Sequence, residues 1–264
     1  MSDAATSEPI RIAMWSGPRN LSTALMRSWG SRADTAVVDE PFYAHYLHAT
    51  GLDHPGRDAI LRSQPTDWRT VADALTGPVP GSKRIFYQKH MAHHLLPGMI
   101  GPWVDELRHA FLLREPADML KSLVKVIPDP RPEDTGLPQQ VELYEWLANA
   151  GEPPPVVSAE VLLDDPVGIL RALCAALGVP FDPAMLAWDP GPRPTDGVWA
   201  EHWYATVKAS TGFMPPKPVT TDVPDRLRSV FDACMLFYEK LRAYRLTADH
   251  GPWTADLPGG VDGV

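Results

Sequence analysis

A chain of 264 residues with 44% hydrophobic and 22% charged side chains can bury a sizeable core within one domain. Its net charge of -9 excludes the broad basic face that nucleic-acid binding needs, but not a local basic pocket for one phosphorylated small molecule. No apolar run approaches the roughly 20 residues that span a bilayer, and the polar start Met1–Pro9 lacks the apolar core of a signal peptide, so a soluble, cytoplasmic protein with no membrane partner is expected.

In chain order, Ile10–Trp15 reads as a first strand, followed by a polar turn and a helix from Leu21 to Trp29. Thr35–Val38 is a short second strand ending in Asp39-Glu40-Pro41. A helix over Trp68–Leu75, a third strand over Arg84–Gln88 and a fourth over His109–Leu113 follow. Glu115–Val126 reads as a helix with Pro116 in its first turn, where proline is tolerated. A Pro-rich insert, Ile127–Pro138, precedes a helix over Gln139–Ala150, a short fifth strand at Pro155–Ser158, and a helix from Asp164 to the glycine stop at Gly178. Pro190–Pro218 has little periodicity but is rich in aromatic residues, and reads as a lid or pocket wall. A final helix covers Asp225–Tyr244.

This alternation predicts an α/β fold: a three-layer sandwich with a central, mostly parallel sheet of about five strands. Residues 1–264 form one domain, with 1–9 and 246–264 as loose tails. Cys174 and Cys234 both fall in amphipathic helical stretches and read as buried free thiols. The Pro-rich insert and the C-terminal tail are surfaces on which a homodimer could form.

Two anion-binding signatures stand out. Ser16-Gly17-Pro18-Arg19-Asn20-Leu21-Ser22-Thr23 joins the first strand to a helix. Such a junction leaves first-turn N–H groups unpaired at the positive end of the helix dipole. Arg19 adds a planar cationic fork, Ser22 and Thr23 add hydroxyls, and Gly17 permits close backbone approach. The loop lacks the Gly-Lys pair of a Walker A motif, and Pro18 removes one donor. The second signature is Arg114-Glu115-Pro116 at the end of the fourth strand, with Ser122 eight residues beyond Arg114 and Lys121 and Lys125 nearby. In a parallel sheet both lie on the rim formed by the strand C-termini, where open sheets bind ligands.

Arg114, Pro116 and Ser122, at this spacing and paired with Ser16–Thr23, resemble the sulfotransferases that use 3′-phosphoadenosine 5′-phosphosulfate (PAPS) and release the bisphosphate PAP. The resemblance, which is closer to bacterial carbohydrate-type members than to cytosolic animal ones, implies a P-loop nucleoside-kinase-like sheet. It implies that the first loop holds the 5′-phosphosulfate and that Arg114 and Ser122 hold the 3′-phosphate. Lys208, in Lys208-Ala-Ser-Thr-Gly-Phe213, is the candidate for a further cofactor contact late in the chain.

Sulfuryl transfer needs a general base for the acceptor hydroxyl and cationic or amide groups for the departing oxygen. Glu40 and His90 are the two candidates for the base, and Glu40 is placed first because the resembling carbohydrate-type enzymes carry a Glu there. Arg19 is expected to face the developing charge, and His202 to donate to the transferred group. Phe42, Tyr43, Tyr46, Lys89, Trp199 and Trp203 are the candidate acceptor-binding residues, since aromatic rings stack on sugars and aryl groups alike. The acceptor is then a small molecule or glycan carrying a hydroxyl or amine. The alternatives are a P-loop kinase or NTPase with Mg²⁺ on Asp39, and a nucleotide-binding module without catalysis. His90, His93 and His94 lack a carboxylate at ligand spacing, so no metal site is expected.

Overall fold

The computed structural model describes residues 8–215 and 223–248. In chain order its elements are β1 (Ile10–Ser16), α1 (Ser22–Gly30), β2 (Thr35–Asp39), α2 (Tyr43–Thr50), α3 (Arg57–Ser63), α4 (Trp68–Thr76), β3 (Ile85–Met91), β4 (Arg108–Leu113), α5 (Pro116–Leu123), α6 (Leu137–Ala150), β5 (Val156–Ser158), α7 (Ala159–Asp164), α8 (Pro166–Ala176), α9 (Ala200–Trp203), α10 (Ala205–Lys208) and α11 (Arg228–Arg242). The strands form one sheet in the order β2-β3-β1-β4-β5, and every pairing is parallel. Parallel connections cross over through helices, so all five strands end on the same rim.

Side-chain alternation divides the core into two layers. Ile12 and Met14 of β1, Tyr87 of β3 and Leu112 of β4 pack with Leu25, Met26 and Trp29 of α1 and with Ile169, Leu170 and Leu173 of α8. Ala13 and Trp15 of β1, Phe86 of β3 and Phe111 and Leu113 of β4 face the other way, onto Val71 and Leu75 of α4, Leu120 of α5, Val141 of α6 and Cys234 of α11. The strands are buried on both faces and therefore read as near-continuous apolar runs. Both cysteines are buried and free.

Several sequence expectations change. The helix expected over Asp164–Gly178 is α8, capped by the Asp165 side chain, which accepts from Gly168 N, but a further short helix that carried no expectation, α7, capped by Ser158, precedes it. Tyr43–Thr50 and Arg57–Ser63, which carried no helical expectation, are α2 and α3. The segment Pro190–Pro218 contains α9 and α10, with residues 216–218 outside the described part. The Pro-rich insert folds inward. Thr135 is buried, and its carbonyl occupies the space that a Cβ on Gly17 would take. Of the two expected tails, Leu246 is buried in the core, and its N–H donates to Val156 O at 2.8 Å. Residues 1–7 and 249–264 lie outside the described residues.

Candidate active site

The loop after β1 carries its charge outward and its packing inward. Ser16 is fully buried, and its hydroxyl donates to His90 O at 3.3 Å, so it belongs to the core and not to an exposed cradle. The Asn20 amide accepts from Gly17 N (3.2 Å) and donates to Pro18 O (3.0 Å), closing the loop on itself. Gly17 is needed for the close approach of Thr135, whereas the sequence reading assigned its small size to the ligand. Arg19 and Leu21 both adopt left-handed backbone, at φ 64° and 69°, a conformation that costs about 1–3 kcal/mol for such residues and collects at functional sites. Leu21 sits at the N-cap of α1 and supplies no capping side chain, so no side chain caps the first-turn amides of Ser22 and Thr23.

The second signature meets the first. Arg114 Nη1 donates to the Arg19 carbonyl at 2.7 Å, and Arg19 Nε donates to Ser122 Oγ at 2.8 Å. Two guanidinium groups therefore share one half-exposed patch in front of the α1 N-terminus. Partial burial, and then the Arg114 charge, lowers the Arg19 pKa.

Farther along the rim, the register of β2 on β3 sets Asp39 directly beside Lys89, on one face. Lys89 is 1% exposed, and its three ammonium protons are all used: on Asp39 Oδ1 (2.8 Å), Glu40 Oε1 (2.5 Å) and Tyr204 OH (2.8 Å). Burial by itself would push the Lys89 pKa down, but the charges of Asp39 and Glu40 hold it well above its ordinary value. Lys89 is thus an internal cation and not the acceptor-binding residue expected from sequence. Tyr204, which lies in the aromatic-rich segment Pro190–Pro218 and was not among the candidate site residues, completes the cluster. Its hydroxyl donates to Asp39, 2.7 Å from Oδ2, and accepts from Lys89 and from Trp199 Nε1 (3.1 Å).

Glu40 lies one residue past β2 with φ 40°. Its N–H donates to Lys89 O (2.9 Å), and its carbonyl accepts from Tyr43 N (3.1 Å) and Gln64 Nε2 (3.1 Å). These bonds hold the strained backbone. Burial raises the Glu40 pKa, and the Asp39 charge adds to it, while Lys89 offsets part of the rise. Two carboxylates share one ammonium, so the cluster carries a surplus negative charge that protonation of Glu40 would remove.

His90, the other candidate base, belongs to the core. It points to the opposite face from Lys89, stacked on Trp15 at 4.2 Å between ring centres and close to Phe42. Gln88 Nε2 donates to Leu75 O (2.8 Å), which leaves Gln88 Oε1 to accept from His90 Nε2 at 3.2 Å. The basic nitrogen is then Nδ1, which is buried without a partner. Burial, with His109 adding to it, drives the His90 pKa down to about 3. A general base needs reach and a pKa near the working pH, and His90 has neither here.

The remaining candidates separate. Tyr43 and Tyr46 stack on His94 at 4.6 Å and 4.7 Å, and Tyr43 meets Trp199 edge-on, forming an aromatic cluster beside Glu40. Phe42 packs on Trp103 and His90 in the core instead of lining this cluster. Trp203 is half-buried against the Tyr43 cluster. His202 rests against Gly56, with Nε2 3.2 Å from Glu201, so it is engaged outside the Glu40–Lys89 cluster. Lys208 O accepts from Gly191 N at 2.7 Å, and the residues after it pack against Trp188, which places the segment beside Ala187–Gly191 and gives Lys208 no contact with Arg19 or Arg114. Among the described residues, no group of three or more His, Cys, Asp or Glu is arranged to hold a metal ion, and no helix is long and apolar enough to cross a membrane.

A family model described as a sulfotransferase domain matches residues 10–245. The chain belongs to the sulfotransferase family. Its fold is similar to the sulfotransferase domain from the curacin biosynthetic pathway, with TM-score 0.52, 17% identity, and 91% of this chain and 100% of that one covered. It is also similar to a sulfotransferase from Alicyclobacillus acidocaldarius, with TM-score 0.52, 16% identity, and 91% and 98% covered. Two Arabidopsis thaliana proteins are similar in sequence. Branched-chain-amino-acid aminotransferase-like protein 1 is 41% identical over 239 residues, which is 90% of this chain and 42% of that protein. Protein 2 of the same name is 38% identical over 234 residues, 88% and 41%. The sulfotransferase chain thus spans about two fifths of the length of these relatives.

Proposed function

We propose that this member of the family moves a sulfuryl group from PAPS to a hydroxyl or amine of a small-molecule or carbohydrate acceptor, with Glu40 as general base. The observation that carries the reading is the convergence of Arg19 and Arg114, with Ser122 beside them, at the uncapped start of α1. That donor set fits a nucleotide with two separate anionic groups: forked cations, a hydroxyl and helix amides. Arg19 and the first-turn amides of Ser22 and Thr23 would hold the 5′ end, and Arg114 with Ser122 the 3′-phosphate. The nucleotide supplies an activated sulfuryl group when bound.

This chain's own residues do the rest. Glu40 Oε2, the oxygen not engaged by Lys89, takes the acceptor proton as the new oxygen–sulfur or nitrogen–sulfur bond forms. Arg19 and the first-turn amides would offset the charge left on the departing phosphate oxygen, which would keep the electron pair of the broken sulfur–oxygen bond. The aromatic cluster of Tyr43 and Tyr46, stacked on His94 and tied to Glu40 through Tyr43 N, would form the acceptor-side wall beside the base. A kinase reading with Mg²⁺ on Asp39 is disfavoured because both Asp39 oxygens are already engaged, by Lys89, Tyr204 and Gly197 N (3.1 Å).

Calorimetric titration with adenosine 3′,5′-bisphosphate, run beside ATP with Mg²⁺, tests the reading. Binding of the bisphosphate in preference to ATP is expected, followed by label transfer from radiolabelled PAPS to members of an acceptor panel. Preference for Mg-ATP, or no bisphosphate binding, would overturn it.

A further inference from the structure

We propose that Tyr204 is a positioning residue for Glu40, acting through the ammonium of Lys89. The inference rests on the reading of Glu40 as the base, and it concerns a residue separated from Glu40 by most of the chain.

The argument begins with hydrogen-bond capacity. An ammonium has three donors and no acceptor, and a phenolic hydroxyl has one donor and two acceptor sites. Lys89 spends its three donors on Asp39, Glu40 and Tyr204. The Tyr204 hydroxyl accepts from Lys89 and Trp199 and donates to Asp39, which fills it. Burial holds the Tyr204 pKa well above its ordinary value, so the hydroxyl keeps its proton and remains a donor. In this closed network the position of the ammonium is over-determined, and with it the share of positive charge delivered to Glu40 Oε1.

Tyr204 lies between α9 and α10, and its placement is fixed from that side. Trp199 is 2% exposed, and Gly197 N donates to Asp39 Oδ2 at 3.1 Å. A Cβ on Gly197 would run into the Trp199 ring, so this segment can close on Asp39 only with glycine there. The titratable groups that bear on Glu40 are Asp39 of β2, Lys89 of β3, Tyr43 of α2 and Tyr204 itself. Tyr43 and Tyr204 are both neutral, but Tyr204 is the one hydrogen-bonded to both Lys89 and Asp39, so it can partition one ammonium between two carboxylates without adding charge.

Removing the hydroxyl has a definite direction. Asp39 loses a donor and becomes the stronger attractor for Lys89. The ammonium shifts toward Asp39, Glu40 keeps less of it, and the Glu40 carboxyl holds its proton to higher pH.

The test is an NMR titration of isotope-labelled glutamate carboxyls in the whole protein, with the Glu40 signal assigned by Glu40→Gln. In Tyr204→Phe the Glu40 midpoint is expected to rise by about one pH unit, with adenosine 3′,5′-bisphosphate affinity unchanged. Turnover should show a lower kcat, an acid limb moved to higher pH and an unchanged acceptor KM. Trp199→Phe keeps a ring and removes only one donor to Tyr204, so it should move the midpoint in the same direction by less, and it serves if Tyr204→Phe does not fold. An unmoved Glu40 midpoint in the folded variants would overturn the proposal, as would a bisphosphate affinity that falls together with it. A midpoint that responds to Tyr204 in a protein that does not bind the bisphosphate supports the network and removes the sulfuryl-transfer reading instead.

Discussion

Arg114, at the end of β4, reaches over the rim and donates to the main-chain carbonyl of Arg19, 2.7 Å away in the loop after β1. Two residues 95 positions apart thereby form a single cationic patch, and Arg19 extends it to Ser122. Like charges this close repel in the absence of an anion, and their proximity is maintained because each guanidinium donates to an oxygen of the neighbouring element.

The first prediction concerns that patch. Arg114→Ala removes a charge-assisted donor set, and losses of this kind cost about 1.5–3 kcal/mol, so bisphosphate affinity should fall by about one to two orders of magnitude. Arg114→Lys keeps the charge without the fork and should recover only part of the loss. The patch is on the surface, so the thermal midpoint should hardly change. Calorimetry and a melting curve on the same preparations check both halves.

Glu40→Gln should leave bisphosphate binding intact and reduce kcat by about 10²–10⁴-fold, the usual contribution of a positioned base. The pH dependence has a fixed sign. Burial raises the Glu40 pKa above its ordinary 4.5, and only the ionised form can accept a proton. Turnover should therefore rise with pH along an acid limb whose midpoint lies above 4.5, and Glu40→Gln should remove that limb. A pH–rate profile from the acid side to neutrality measures it.

The parallel sheet was legible because its strands are buried on both faces and appear as apolar runs between helical patterns. The cationic patch was legible too, since Arg19 and Arg114 each sit at a strand-to-helix junction and Ser122 follows Arg114 at a fixed spacing within α5. Lys89 was not. Its place beside Asp39 depends on the β2–β3 register, which no local pattern encodes, and its third partner arrives from residue 204. His90 misled for a related reason. It follows Lys89 directly, so strand alternation sends it to the opposite face, into the Trp15 stack. The helix α2 had a readable signal in the spacing of Tyr43, Tyr46 and Leu47, at i, i+3 and i+4, but the two tyrosines also fit acceptor-binding residues, and that reading hides the helical period.

Gly17→Ala should damage both stability and binding. The new methyl group would collide with the Thr135 carbonyl, a backbone atom that cannot swing aside as a side chain can. Overpacking of this kind costs about 1–3 kcal/mol. Relief requires the Pro132–Gly136 turn or the Ser16–Thr23 loop to shift, and the second shift would move Arg19 away from Ser122. The expected result is a lower midpoint in urea together with weaker bisphosphate binding. Gly101→Ala, with nothing within 4 Å of its Cβ and an extended backbone, should do neither.

Acid should destabilise the protein through its buried imidazoles. Burial is the main cause that drives His90 and His93 down to about 3 and His109 to about 4, and it also lowers His94. An unfolded chain takes up these protons near the ordinary value of 6.5, whereas the folded chain resists them. The stability that these groups contribute is therefore complete above 6.5 and is lost as pH falls toward their folded values, at about 1.4 kcal/mol per pH unit for each group. His90→Phe isolates one share. It keeps a ring against Trp15, removes the titrating nitrogens and gives up the hydrogen bond to Gln88, worth about 1 kcal/mol. At pH 8 the variant should melt slightly below the parent, and between pH 6.5 and pH 4 its midpoint should fall less steeply. If His90 were the base, the same substitution would abolish turnover; with Glu40 in that role, turnover at pH 8 survives, and one variant measured by melting and by rate settles both points.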